Sequence, residues 1–452
     1  MSSKRILLNG FSMNCVSHIQ QGLWVRDDTR QVEYCTLDPW LELAQILEKG
    51  CFDALFLADV VGLYDAYLGG PETSIREGMQ VPVNDPALLI PAMATVTEHL
   101  GFAFTSSVLQ TPPFTFARQI STLDHLTKGR IAWNIVTSYL PNAGASLGYG
   151  GLPSHKERYE RANEYLEVAY KLWEGSWEES AVLKNKEKGI YADPRKVHPI
   201  NHSGTYYQCE GPHLSEPSLQ RTPLLFQAGS STDGRAFAAK HAECVFIVTS
   251  RRNLSGVQNI VSDIQTQAKK SGRSPDDLRF FQGLSPVVGG TEKEALAKEE
   301  EYLQQISTDA SLAHLSGSLG IDLGNINPDK PLESFDSQAM QGVVKSMIES
   351  RPPGTRTFRD LIRAQMAGQF LTGTPEQIAD NLETWSDAGV DGFNLVYSTT
   401  PGSFVDFVEG VVPELQKRGR VQKAYTPGTL REKLFGQPRL SERHPAASYR
   451  RS

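Results

Sequence analysis

The feature that most constrains this chain is a repeated alternation of short apolar runs with longer amphipathic ones. Ala54–Ala58 (ALFLA) is continuously apolar, as a strand covered on both faces must be. Just before it, Pro39–Lys49 carries Leu41, Leu43, Ala44, Ile46 and Leu47 at helical spacing and stops at Gly50. Strands are expected at Arg5–Phe11, Ala54–Ala58, Phe102–Leu109, Ile131–Thr137, Leu224–Ala228, Glu243–Val248, Arg279–Val287 and Gly392–Tyr397. Helices are expected at Pro39–Lys49, Asp85–Leu100, Phe114–Leu126, His155–Trp173, Thr232–His241, Asn253–Lys270, Thr291–Ser307, Pro375–Ala388 and Ser403–Arg418. Alternating βα units build a parallel sheet, and about eight of them predict a closed (β/α)₈ TIM barrel. A doubly wound open sheet is the rival, but no early GxGxxG follows the first strand to support its dinucleotide-binding form.

Residues 1–418 are read as one barrel with insertions at about 60–84, 174–222 and 306–373, stretches rich in Gly, Pro or polar turns. Residues 419–452 form an Arg-rich extension expected to pack on the barrel or on a neighbouring subunit. The formal net charge of −7 argues against a dedicated nucleic-acid or anionic-membrane protein. No run of 18 apolar residues exists, so no membrane span is expected. The five cysteines are widely spaced without a CxxC pair, which speaks against a zinc ribbon or disulfide framework and for the cytoplasm.

In a barrel, residues at strand C-termini face the active site. His18 follows the first strand and is either a site residue or a hydrogen-bonded structural histidine. Cys15-x-x-His18 has metal-like spacing, but no second pair supports it, and no metal is expected. Asp59 ends the second strand, where it could receive hydrogen bonds from a ligand or orient a loop. Tyr64 and Gln80 lie in the insertion that follows, either at a pocket mouth or in solvent. Asn134 is a polar amide in an apolar strand and must find partners, in a heterocyclic ligand or in neighbouring backbone. Gly229-Ser230-Ser231-Thr232 follows a strand and opens a helix, which makes either a phosphate site or a simple N-cap. His155, Arg158 and Tyr159 could close on the same phosphate. His314 lies in the last long insertion, read as a loop that could fold over the barrel mouth. Phe11, Phe56, Phe246 and Val248 lie on strands, as core or as pocket wall.

The segments MNCVSHI…GLW, FDALFLADVVG-x-YD, VPVNDP, HLTKGRIAWN-x-VTS, YLEV-x-YKLWEGSWE, KVH-x-INHSG, FAAKHAECVF, DGFNLV, VVPELQKRG and REKLFG together resemble the bacterial luciferase-like flavin monooxygenases. The likeness runs from Ile6 to about Arg450. It points to the branch that holds the nitrilotriacetate, dibenzothiophene-sulfone and long-chain alkane monooxygenases, with most similarity to the alkane-oxidising members. The resemblance implies a (β/α)₈ barrel using reduced FMN from a separate NAD(P)H-dependent flavin reductase, O₂ and a C4a-hydroperoxyflavin. It implies a small apolar substrate such as a long-chain alkane, with an aryl sulfone or nitrilotriacetate as alternatives, and a homodimer or homotetramer. A non-catalytic flavin-binding protein on the same barrel, or a metal-dependent hydrolase, would be the rival classes. By resemblance, Asp59, Thr105, Asn134, Tyr159, Ser230 and Ser231 belong to the FMN site, the last three near the phosphate. Cys15, His18, Tyr64, Gln80 and His314 would face the reaction, with Phe11, Phe56, Phe246 and Val248 as an apolar wall. Tyr139 departs from the pattern, standing where the alkane-oxidising members carry a pocket histidine. A phenol with a reference pKa of about 10 can donate a hydrogen bond there but cannot serve as a base near neutrality.

Overall fold

A computed structural model describes residues 4–229, 231–247, 249, 253–324, 326–332, 351 and 353–451. Eight parallel strands close on themselves: β1 (Leu7–Met13), β2 (Ala54–Ala58), β3 (Gly101–Ser107), β4 (Ile131–Val136), β5 (Leu224–Ala228), β6 (Cys244–Ile247), β7 (Arg279–Val288) and β8 (Gly392–Val396). Each pairs with the next, and β8 returns to β1 with Asn9 opposite Asn394. Because strand side chains alternate, one set points inward and the other toward the helices. Leu7, Phe11, Phe56, Ala103, Ala132, Phe226, Cys244, Phe281 and Val396 fill the interior. Leu8, Leu55, Phe102, Trp133, Leu225, Val245, Phe280 and Leu395 join the core under the helices. The sheet is apolar on both faces, so the near-continuous hydrophobic strands follow directly from the architecture.

The surrounding helices include α1 (Asp38–Lys49), α2 (Pro113–Leu126), α3 (His155–Tyr170), α4 (Thr232–His241), α5 (Leu254–Lys270), α6 (Glu292–Gln305), α7 (Thr308–Leu319), α8 (Phe358–Ala367) and α9 (Pro375–Asp387). The expected helix Asp85–Leu100 is instead a short turn at Pro86–Leu88 and a helix limited to Ile90–Thr95. The Glu48 carboxylate at the end of α1 takes the backbone N–H groups of Glu98 (2.9 Å), His99 and Leu100 (3.0 Å). Those donors therefore find their acceptor outside a helix. The stretch read as a loop around His314 is helix α7, started by Ser307, whose hydroxyl accepts from the Ala310 N–H at 3.1 Å. A short strand not expected from the sequence, Phe370–Gly373, pairs with Ser285–Val288, where β7 runs beyond the barrel.

The N-terminal end of the barrel is sealed by the tail. Leu430 and Leu434 enter the interior cluster from below. Between them Arg431 holds Glu243 through two hydrogen bonds (2.7 and 3.0 Å) and gives its other donors to carbonyls of Thr222 (2.9 Å) and Pro223 (2.8 Å). Arg450 fastens the end of the tail to buried Glu174 at 2.9 Å. A buried pair is retained only where geometry and further hydrogen bonds offset its desolvation, a condition that Arg431 meets.

Candidate active site

At the C-terminal mouth, a cavity of about 410 Å³ lies over the aromatic interior. Its wall includes Phe11, Ile19, Phe246, Leu284 and Val396 from the barrel side and His314, Leu315, Ile362 and Met366 from α7 and α8. Phe11 and Phe246 meet edge to face at 5.1 Å between ring centres. Phe56 packs on both, at 5.1 and 6.0 Å, but is itself 1% exposed and does not reach the cavity. It supports the wall from beneath rather than forming it.

His18 lies against Phe11, with ring centres 4.7 Å apart, and is buried. Its carbonyl receives the side-chain amides of Gln80 (2.8 Å) and Gln21 (2.9 Å), which fixes the loop after β1. Burial, reinforced by the nearby charge of His314, pushes the His18 pKa down to about 3, and its Nδ1 has no hydrogen-bond partner. Burial brings His314 to about 4. Both imidazoles are therefore neutral near pH 7. Gln80 also accepts from the Tyr64 hydroxyl at 3.1 Å, and Tyr64 shares a short hydrogen bond with the Tyr139 hydroxyl. The Tyr64 ring rests on His314 at 5.1 Å. A side chain at Gly317 would place its Cβ 2.5 Å from the Tyr64 ring, so α7 approaches this tyrosine only because it lacks one there. Burial holds the Tyr64 phenol protonated well above its ordinary range.

Beside this chain is a second, smaller space of about 60 Å³ lined by Asp59, Thr105, Gln110, Ser138 and Tyr139, among others. Burial, with the Asp85 charge, raises the Asp59 carboxyl to about 7, against the opposing hydrogen bonds from Gln110 and the Val60 N–H. Asn134 donates to Thr105 Oγ1 at 2.9 Å, leaving its own Oδ1 buried without a donor. At the start of α4, Ser231 caps the helix by accepting from the Gly234 N–H at 3.1 Å. A Cβ at Gly234 would lie 3.0 Å from both Ser231 Oγ and the Tyr159 hydroxyl, so the two hydroxyls converge on this turn. Arg158, one residue before Tyr159, keeps a buried Nε without a partner. A helix N-terminus with convergent hydroxyls and an unsatisfied guanidinium fits a phosphate, and the orphan Asn134 oxygen fits a ring N–H, so the residues present suit FMN.

The structure thus brings His18, Tyr64, Gln80, Tyr139 and His314 into one connected group, and places Asp59, Thr105 and Asn134 on adjoining strand ends. Cys15 stands apart from this group. Its buried thiol donates to the Ser17 carbonyl at 3.3 Å and lines a separate crevice with Tyr34, Trp40 and Tyr397, not the 410 Å³ cavity. Ser230 and Val248 lie outside the described residues. Sequence reading missed Tyr397, which borders the same crevice as Cys15 with its ring 6.5 Å from His18, although its position directly after β8 was the available signal. It also missed Gln21, Gln365 and Gln369 on the cavity wall, which no local pattern marks. Among the described residues, no group of three or more His, Cys, Asp or Glu could hold a metal ion, and no helix is long and apolar enough to cross a membrane.

Comparison with known proteins agrees with this geometry. Residues 13–392 match the family model described as luciferase-like monooxygenase. The chain is 48% identical over 453 residues to a dimethyl-sulfide monooxygenase of Hyphomicrobium sulfonivorans, covering 99% of this chain and 94% of that protein. It is also 48% identical over 454 residues to a long-chain alkane monooxygenase of Geobacillus thermodenitrificans, covering 99% and 98%. The crystal structure of DmoA from Hyphomicrobium sulfonivorans superposes with a TM-score of 0.93, covering 99% of this chain and 96% of that one. A riboflavin lyase with modified FMN and riboflavin superposes at 0.88, with 35% identity, 99% of this chain and 100% of that one. With a closed barrel, an apolar cavity at its C-terminal mouth and these relatives, the chain belongs to the luciferase-like monooxygenase family and is a flavin-dependent monooxygenase.

Proposed function

We propose that this protein is the oxygenating component of a two-component system, taking reduced FMN from a separate NAD(P)H-dependent reductase and using O₂ to oxygenate a small apolar substrate. One observation carries the substrate class. The 410 Å³ cavity has hydrocarbon and neutral amide or hydroxyl side chains on its wall, with His314 its one titratable side chain among the described residues. An alkane or a thioether suits such a wall, and its relatives are named for both. Nitrilotriacetate, named for a relative at 34% identity, would bring carboxylates that this wall does not counter.

Bound in reduced form, FMN supplies the electrons that activate O₂. Asp59, Thr105 and Asn134 would hold its ring, and Tyr159, Arg158 and Ser231 its phosphate; Ser230 belongs to this reading by sequence. The apolar wall, closed by α7 and α8, excludes water from the reacting atoms. Neutral His18, fixed through its carbonyl by Gln80 and Gln21, offers an imidazole N–H or lone pair for proton transfer, as does His314. The Gln80–Tyr64–Tyr139 chain orients neutral donors without adding charge. Tyr139 thus contributes a hydrogen bond at the histidine position, not a base. The reading includes a homodimer or homotetramer, and a cytoplasmic setting supported by five unpaired cysteines.

The test supplies the protein with a flavin reductase, NADH and FMN under ¹⁸O₂, with hexadecane, dimethyl sulfide or nitrilotriacetate. The proposal expects one ¹⁸O atom in the product of an apolar substrate and none from nitrilotriacetate. NADH consumption that yields only H₂O₂ with every substrate would support the non-catalytic alternative.

A further inference from the structure

The sealed end of the barrel contains a cavity unrelated to the mouth. It measures about 170 Å³ and is lined by five arginines, Arg273, Arg279, Arg431, Arg439 and Arg443, against three carboxylates, Glu243, Asp276 and Asp277. Two of the carboxylates are already engaged. Glu243 is held by Arg431, and Asp277 accepts from Arg443 at 2.6 and 3.0 Å and from the Ser274 N–H at 2.9 Å. Asp276 is exposed.

Two of the remaining guanidiniums, Arg273 and Arg279, lack a matching anion. Arg273 is 3% exposed and spends its terminal nitrogens on the carbonyls of Ala239, Ala242 and Asp277, while its Nε has no partner. Arg279 gives Nη1 to the carbonyls of Asp276 and Leu278 and lies 4.6 Å over the Phe435 ring. Neither has a carboxylate within ion-pair distance among the described residues. Arg439 reaches exposed Glu179 with one nitrogen and leaves the buried Nη1 unpaired. Burial works against the Arg273 charge, because carbonyl dipoles replace only part of its lost hydration. Nearby His444 is buried and held neutral, with its pKa down to about 3, so it adds no charge near pH 7.

We propose that this cavity is a binding site for a small tetrahedral oxyanion such as inorganic phosphate, held by Arg273 and Arg279 of the barrel and Arg439 of the tail. Planar guanidiniums with free N–H donors match such an anion. The anion would bridge barrel and tail and so fasten the segment that closes the barrel floor. The site lies at the opposite end of the barrel from the proposed flavin site and does not depend on that reading.

The test titrates inorganic phosphate into the full-length protein saturated with FMN, so that the phosphate-binding turn at α4 is already filled, and reads heat of binding and melting temperature. Chloride at matched ionic strength is the control. The wild type is expected to bind phosphate saturably and melt higher. Arg279→Gln should weaken binding about tenfold through loss of a charge-assisted partner. Asp276→Asn should tighten it severalfold by removing the one unengaged carboxylate, and this exposed substitution leaves the fold intact. Equal responses to phosphate and chloride, or identical phosphate responses in the wild type and both variants, would overturn the proposal.

Discussion

At the floor of the barrel Arg431 is 1% exposed, yet each of its guanidinium nitrogens has an acceptor; at the mouth His18 is 3% exposed and its Nδ1 has none. Around Arg431 the floor carries opposite charges joined at short range, and the neighbouring arginine cavity leaves donors open, at Arg273 Nε and Arg439 Nη1. The mouth carries neutral imidazoles, phenols and amides, with acceptors such as Asn134 Oδ1 and Gln21 Oε1 left open. An unpaired buried polar group costs about 1–3 kcal/mol, so a fold keeps several together only where something else repays them. The contrast assigns stability to the floor and chemistry to the mouth, the division common to barrels of this kind.

The strongest way to break that contrast is at the floor. Glu243→Gln leaves Arg431 buried without its counter-charge and should cost about 3–5 kcal/mol in denaturant unfolding, with flavin affinity unchanged. A variant that loses flavin affinity but keeps its stability would erase the distinction. At the mouth the opposite is expected. His18→Asn should lower oxygenated product per NADH by about a hundredfold and raise H₂O₂, with a melting temperature near that of the parent.

Acid sharpens the comparison further. His18, His213, His241 and His444 are buried and His314 is half-buried, all with pKa values lowered by desolvation. The unfolded chain takes up protons at these sites from about pH 6.5, while the folded chain does not until far lower. Their contribution is therefore complete above about pH 6.5 and lost as pH falls toward their folded values. Stability measured from pH 7 to 4 should fall steeply, and His314→Asn should reduce the slope.

The smallest effect runs the other way. Asp59, raised to about 7 by burial and Asp85, binds a proton in the folded state that the unfolded chain releases near pH 4. Its contribution is lost as pH rises through 7. Asp59→Asn should match the wild type at pH 4 and melt a few degrees higher at pH 8.

Much of the architecture was legible because βα alternation is a property of local pattern. Each of the eight expected barrel strands overlaps its observed counterpart, with ends that differ by no more than two residues. What failed depended on distant partners. Nothing in residues 85–100 announces that Glu48 will capture three of their backbone N–H groups. Phe370–Gly373 is too short to stand out and exists as a strand because β7 overruns the barrel. Ser and Gly around His314 read as loop, whereas Gly317 is small because Tyr64 packs against it. In the site, strand-end polar residues were visible by position. The family resemblance marked Gln80 and Tyr64, but their link was not visible, since it runs through a side-chain chain between separate loops. Cys15 is three residues from His18 in sequence, yet it lines a separate crevice with Tyr34 and Trp40, a placement that spacing alone does not show.

The most direct measurement of the central claim is anaerobic binding of reduced FMN, followed by rapid mixing with air-saturated buffer and flavin absorbance through time. The account predicts tight binding of the reduced flavin and reoxidation far slower than that of free flavin, with Asn134→Ala weakening the binding. Reoxidation at the free-flavin rate, with no difference between wild type and Asn134→Ala, would contradict it.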